Sequence, residues 1–169
     1  MLELLGGDPE FFEPNAEPVP ESLVGKLVGG FKEANGCVVP SSFQATSIWS
    51  EARPRINNVD DETGFECALS EVYLEDFVDK ATPLSELARI GVAYAMYLRK
   101  MLLESPVSGT FRIIVDAQRP DAEPGVGNAC SVRFHKVRPG QAWLTDDLEL
   151  YKENGVLVFE FENATAQIQ

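Results

Sequence analysis

The stretch from Thr82 to Glu104 constrains the fold more than any other part of the chain. Thr82 can act as an N-cap, and Pro83 suits the first helical position, where its missing N–H costs nothing. Leu84, Leu87, Ala88, Gly91, Tyr94, Ala95, Leu98 and Leu102 then recur at helical spacing, and Ile90, Tyr97 and Met101 widen the stripe. Glu86, Arg89, Lys100 and Glu104 are left for water, and Pro106 and Gly109 close the segment. A long helix with so broad an apolar face must lie on a sheet or between layers.

The sheet is written downstream. Phe111–Asp116 alternates with a mostly apolar set on one face, and Cys130–Val137 does so with Cys130, Val132 and Phe134 facing inward. Leu148–Tyr151 and Val156–Glu162 flank Asn154-Gly155, a dipeptide suited to the two positive φ angles of a type I′ turn, and so read as a hairpin. The chain is therefore expected to be α+β: a single-domain sandwich with a long helix over about 82–104 packed on a C-terminal antiparallel meander.

The N-terminal half reads as a looser mixture of helix and strand. Residues 1–21 hold Glu3, Asp8, Glu10, Glu13, Glu17 and Glu21 with no basic residue, and Pro9, Pro14, Pro18 and Pro20 block helix and ladder alike. They are expected to form an extended acidic arm, leaving 22–169 as the folded domain. Leu23, Leu27 and Phe31 suggest a helix over 22–35 stopped by Gly36. Polar strands are expected over 43–49 and 53–59, and Asp60–Gly64 reads as a turn. Phe65, Leu69, Val72, Tyr73 and Phe77 suggest a helix over 65–78, and the tail from Asn163 is expected to fray.

The residues offer little assembled chemistry. His135 is the only histidine, beside Arg133 on the face opposite Phe134, and is expected at the surface or half buried; Cys130, on the same strand, should point to the other face. Cys37, Cys67 and Cys130 form no CxxC pair and sit among apolar neighbours, as free core thiols do in a reducing cytoplasm. The acidic stretch from Asn58 to Gly64 fails the calcium-loop spacing, and the Gly pairs fit neither a P-loop nor a dinucleotide fingerprint. No metal, no cofactor and no enzymatic activity are expected. MLELLGGDPEFFEP lacks the basic start of a secretory signal, and no apolar run approaches about 18 residues, the length of a membrane span.

Charge carries the remaining signal. Against 14 basic residues stand 27 acidic ones, a net charge of −13, which repels nucleic acid and anionic lipid and attracts cationic partners. Asp60, Asp61, Glu62, Glu66, Glu71, Glu75 and Asp76 are the candidate partner-binding residues; on a helix, Glu71, Glu75 and Asp79 would line one strip. Basic residues gather instead between Arg112 and Arg138, where a structural role is expected. The expected function is that of an acidic protein-binding inhibitor, immunity- or antitoxin-like, covering a cationic partner such as a nuclease toxin. The alternatives are an acidic chaperone or adaptor and, last, a small-ligand module or enzyme around Arg133 and His135.

Overall fold

The computed structural model describes residues 19–27, 29–43, 61–118, 127–145, 147–151 and 154–164. Helix α1 (Glu21–Val24) and a 3-10 turn (Gly25–Leu27) lead into a hairpin of β1 (Phe31–Ala34) and β2 (Cys37–Pro40). Helix α2 (Glu62–Ser70) runs into the short strand β3 (Val72–Tyr73) and a 3-10 turn (Leu74–Asp76). The long helix α3 (Leu84–Leu103) precedes β4 (Gly109–Gln118), β5 (Ala129–Lys136), a 3-10 turn (Leu148–Leu150) and β6 (Asn154–Asn163). β1 and β2 form a two-stranded sheet; the other strands form a four-stranded sheet in the order β3-β5-β4-β6, antiparallel throughout. The fold is α+β, with the long helix packed on the antiparallel strands, as the periodicities require.

One face of the large sheet meets α3. Phe111, Ile113, Val115 and Ala117 of β4 and Cys130, Val132 and Phe134 of β5 are buried against Leu87, Ala88, Tyr94, Ala95, Leu98 and Leu102. Gly91 sets the closeness of this contact. A Cβ there would lie 2.9 Å from Val115 Cγ1 and 3.1 Å from Cys130 Sγ. The last residue of β6 secures the end of α3: Asn163 is buried, and its Nδ2 donates to the carbonyls of Leu102 and Val107 at 2.7 Å each. The chain is therefore still anchored at Asn163, where fraying was expected, because that side chain ties the last turn of α3 at Leu102 to the segment that follows it at Val107.

Other local expectations also give way. The helix expected over 22–35 stops early and yields to the β1–β2 hairpin. Gly29 and Gly30 have φ of 93° and 70°, and Asn35 and Gly36 of 50° and 81°, the positive pair a two-residue hairpin turn needs. Asn154-Gly155, read as such a turn, instead opens β6, whose pairing runs from Gln118↔Asn154 to Gly109↔Asn163 along β4. Leu148–Leu150, expected in a strand, forms a 3-10 turn. The helix expected over 65–78 starts earlier and ends at Ser70, because β3 then pairs Val72 with Val132 and Tyr73 with Ser131. α3 begins after Pro83, which takes the N-cap position without a side-chain cap. The acidic arm up to residue 18 and nearly all of the two polar strands expected over 43–59 lie outside the described residues.

Candidate interaction surface

The acidic stretch singled out by sequence is drawn largely into the fold. Asp61 caps α2, its Oδ1 accepting from the Gly64 N–H at 2.7 Å, so the expected turn is a helix start. Glu62 Oε2 accepts from Gln141 Nε2 at 2.8 Å. Glu66 is 0% exposed and lies at the junction of three elements. Its Oε1 accepts from the Val38 N–H of β2 at 2.6 Å, and its Oε2 from the Lys136 N–H of β5 at 2.6 Å. Arg138 closes the cluster, with Nη2 2.6 Å from Oε1 and Nη1 2.9 Å from Oε2. The carboxylate stands where ladder hydrogen bonds between β2 and β5 would otherwise be required. Burial alone would lower the Arg138 pKa, but the hydrogen bonds and charge of Glu66 outweigh it and raise it. Glu66 is thus a structural keystone and offers nothing to a partner.

Glu71 and Glu75 do not share a helical strip. Glu71 Oε1 lies 2.5 Å from Arg133 Nη2, and Glu75 Oε2 accepts from the Cys130 N–H at 3.1 Å. Asp76 is exposed, Asp79 turns back to accept from the Ala81 N–H at 2.8 Å, and Asp60 lies outside the described residues. The segregated bases close on these and other acids. Arg112 pairs with Glu160 at 2.6 Å, Lys136 with Glu33 at 3.9 Å, and Arg133 and Arg138 with the buried or half-buried carboxylates above. Sequence separation had made acids and bases look like two surfaces; folding brings much of one against the other.

The sheet face turned away from α3 carries what sequence reasoning missed. Ser131, Arg133 and His135 of β5, Arg112, Ile114 and Asp116 of β4, and Val158 and Glu160 of β6 share it by alternation. Arg133 Nη2 donates to Ser131 Oγ at 2.8 Å, and its guanidinium lies 5.4 Å from the centre of the Trp143 ring, within cation–π range. Arg133 Nε and Asp116 Oδ1 are buried without a hydrogen-bond partner among the described residues. Burial raises the Asp116 pKa against the opposing pull of Gln118 and Arg133.

His135 proves buried, at 2% exposure, because the segment after β5 folds back over it. Its Nδ1 lies 3.1 Å from the Lys136 carbonyl, which can only accept, so that nitrogen carries the proton and Nε2 keeps its lone pair. Burial lowers its pKa despite that hydrogen bond and the nearby Glu66 charge. Beside it a cavity of about 140 Å³ is lined by Ile114, Leu144, Thr145, Leu148, Val158 and the Arg112–Glu160 pair. Exposed large hydrophobic side chains on this face are Tyr73 at 48%, Trp143 at 38% and Leu148 at 37%, and Leu150, in the same turn as Leu148, is 65% exposed. Partial burial and then the neighbouring Glu71 carboxylate raise the Tyr73 pKa. Sequence places Leu148 and Leu150 in the alternation of a strand and leaves Trp143 and Leu144 outside any periodic segment, so nothing in it brings these residues together.

None of the three cysteines is poised as a nucleophile. Cys37, Cys67 and Cys130 are buried and in no disulfide; burial pushes the Cys67 thiol up and the Cys130 thiol up to about 12. Cys130 faces α3 while His135 faces away, so they form no dyad. Among the described residues no group of three His, Cys, Asp or Glu side chains is placed to hold a metal ion, and no helix is long and apolar enough to cross a membrane.

These features define an α+β protein built around one long helix, with a second sheet face partly covered by the chain and fringed by exposed aromatic and leucine side chains. The chain belongs to the Uncharacterized protein PM0498 family, which it matches over residues 10–168. No curated protein and no solved structure matches it.

Proposed function

We propose that the chain is an acidic inhibitor of a cationic protein, of the immunity or antitoxin kind, acting in the cytoplasm by covering a basic surface such as that of a nuclease toxin. The observation that carries this reading is charge. The net charge is −13, and Arg112, Arg133 and Arg138 are engaged with the chain's own carboxylates. The excess negative charge steers a basic partner toward the molecule and repels nucleic acid that would compete for the same partner. Three buried thiols in no disulfide suit a reducing compartment.

The test is direct. The product of each reading frame flanking the gene is purified and titrated with the full chain at low and at raised salt. The expected result is that one product is basic, that its association rate falls at least about tenfold between 0.05 and 0.3 M salt, and that its activity is lost at equimolar ratio. Binding that ignores salt, or no binding by either neighbour, overturns the proposal.

One observation favours a second reading, an acidic chaperone or adaptor. A groove of about 490 Å³ runs between the hairpin, the end of α2 and α3, lined mostly by apolar side chains including Leu27, Phe31, Phe43, Leu69 and Leu98. A partner held there would bind through apolar contact, with little salt dependence.

A further inference from the structure

We propose that the docking surface for this basic partner is the sheet face around Arg133 and His135 with its covering segment, anchored by Tyr73, Trp143, Leu148 and Leu150, rather than the acidic stretch 60–76. This deepens the functional reading above and rests on it. Glu66, Glu71 and Glu75 of that stretch hold the fold together, so they present no array of unengaged carboxylates. By contrast, Tyr73, Trp143, Leu148 and Leu150 are each more than a third exposed: Tyr73 pairs with Ser131, Trp143 lies on Arg133, Leu148 lines the cavity, and Leu150 shares the turn of Leu148. Aromatic side chains backed by an arginine are the composition of interface hot spots, where desolvated anchors supply most of the affinity.

The 140 Å³ cavity gives such an interface its notch. It has the liquid volume of roughly four or five waters, enough for one inserted side chain. Its lining is half apolar, from Ile114, Leu144, Leu148 and Val158, and half polar, from His135, Thr145 and the Arg112–Glu160 pair. Charge decides what fits. Glu160 and Glu162 on β6 are exposed and share this face by alternation, and Asp147, next to Leu148 in the covering segment, is exposed as well. A second copy, itself carrying −13, would bring like charge against like. A partner presenting an apolar side chain flanked by lysine or arginine meets both the notch and its acidic surroundings.

The experiment uses the full chain and two octapeptides, one alternating arginine with leucine and one alternating glutamate with leucine, followed by NMR. The expected result is that the basic peptide shifts the Trp143 indole, the Tyr73 ring and the Leu148 and Leu150 methyls, while the acidic peptide does not. Leu150→Asp should weaken basic-peptide binding about tenfold or more, the scale of losing one anchoring side chain, with the thermal midpoint unchanged. Trp143→Ala should weaken it similarly. Shifts confined to other faces, equal response to both peptides, or no response overturns the surface. So does sedimentation showing a wild-type dimer that Leu150→Asp dissociates, which would assign the face to a second copy. Peptide binding at this face with no basic partner among the flanking gene products leaves the surface standing and removes the inhibitor function.

Discussion

Replacing Glu66 should unlock the hairpin from the sheet. The carboxylate is fully buried and accepts from the Val38 and Lys136 amides and from both terminal nitrogens of Arg138, at 2.6–2.9 Å. Glu66→Ala leaves the buried Val38 N–H and the part-buried Lys136 N–H without this acceptor and removes the counter-charge of Arg138. Breaking one side of a buried pair costs about 3–5 kcal/mol. At about 2–4 °C per kcal/mol for a chain of this size, the thermal midpoint should drop by roughly 6–20 °C. Glu66→Gln should not rescue it, because every polar neighbour of the carboxylate is a donor and the new amide NH2 would face another donor; a cost of about 2–4 kcal/mol is expected. Arg138 also donates to the carbonyls of Lys136 and Gly36, at 3.0 and 2.7 Å, so Arg138→Ala is costly by itself. The two alanine variants should nonetheless be non-additive by about 2 kcal/mol or more in a double-mutant cycle. Urea unfolding monitored by far-UV circular dichroism measures each term. A Glu66→Ala variant within about 1 kcal/mol of wild type, or an additive double mutant, would refute the reasoning.

Three further outcomes are expected. Because burial depresses the His135 pKa below its ordinary 6.5, the unfolded chain takes up the proton first as pH falls, so stability is full above that value and declines below it; His135→Leu should flatten the urea midpoint just below pH 6.5, and an equally steep fall in the variant would contradict this. With all three thiols buried and Cys67 and Cys130 held protonated, a disulfide reagent at pH 8 should leave the native protein unlabelled and react with every thiol in urea; rapid native labelling would show an accessible site. Gly91→Ala would gain about 1 kcal/mol of helix propensity, yet it should be net destabilising by about 1 kcal/mol, because crowding a packed core costs about 1–3 kcal/mol. The new methyl would fall against Val115, Cys130 and Leu74, and a raised melting temperature would show that the sheet yields.

Sequence alone determined the parts of this protein that depend on local period. The stripe from Leu84 to Leu102 specified α3, and alternation in β4 and β5 placed Phe111, Ile113, Val115, Cys130, Val132 and Phe134 on one buried face, because a side chain's direction repeats with the backbone. Only the tertiary structure decided the rest. Asn35-Gly36 and Asn154-Gly155 are the same dipeptide; the first turns a hairpin and the second opens a strand, because β6 has β4 to pair with along its length. Glu66 and Glu71 look like members of a solvated acidic run until Arg138 and Arg133, 72 and 62 positions downstream in the sequence, meet them in space. A charge's role is set by what lies within a few ångströms of it, and sequence distance carries no information about that. The face that exposes Tyr73, Trp143, Leu148 and Leu150 was hidden for the same reason: it is assembled from a short strand and a covering segment whose apolar residues follow no period, so only their convergence reveals them.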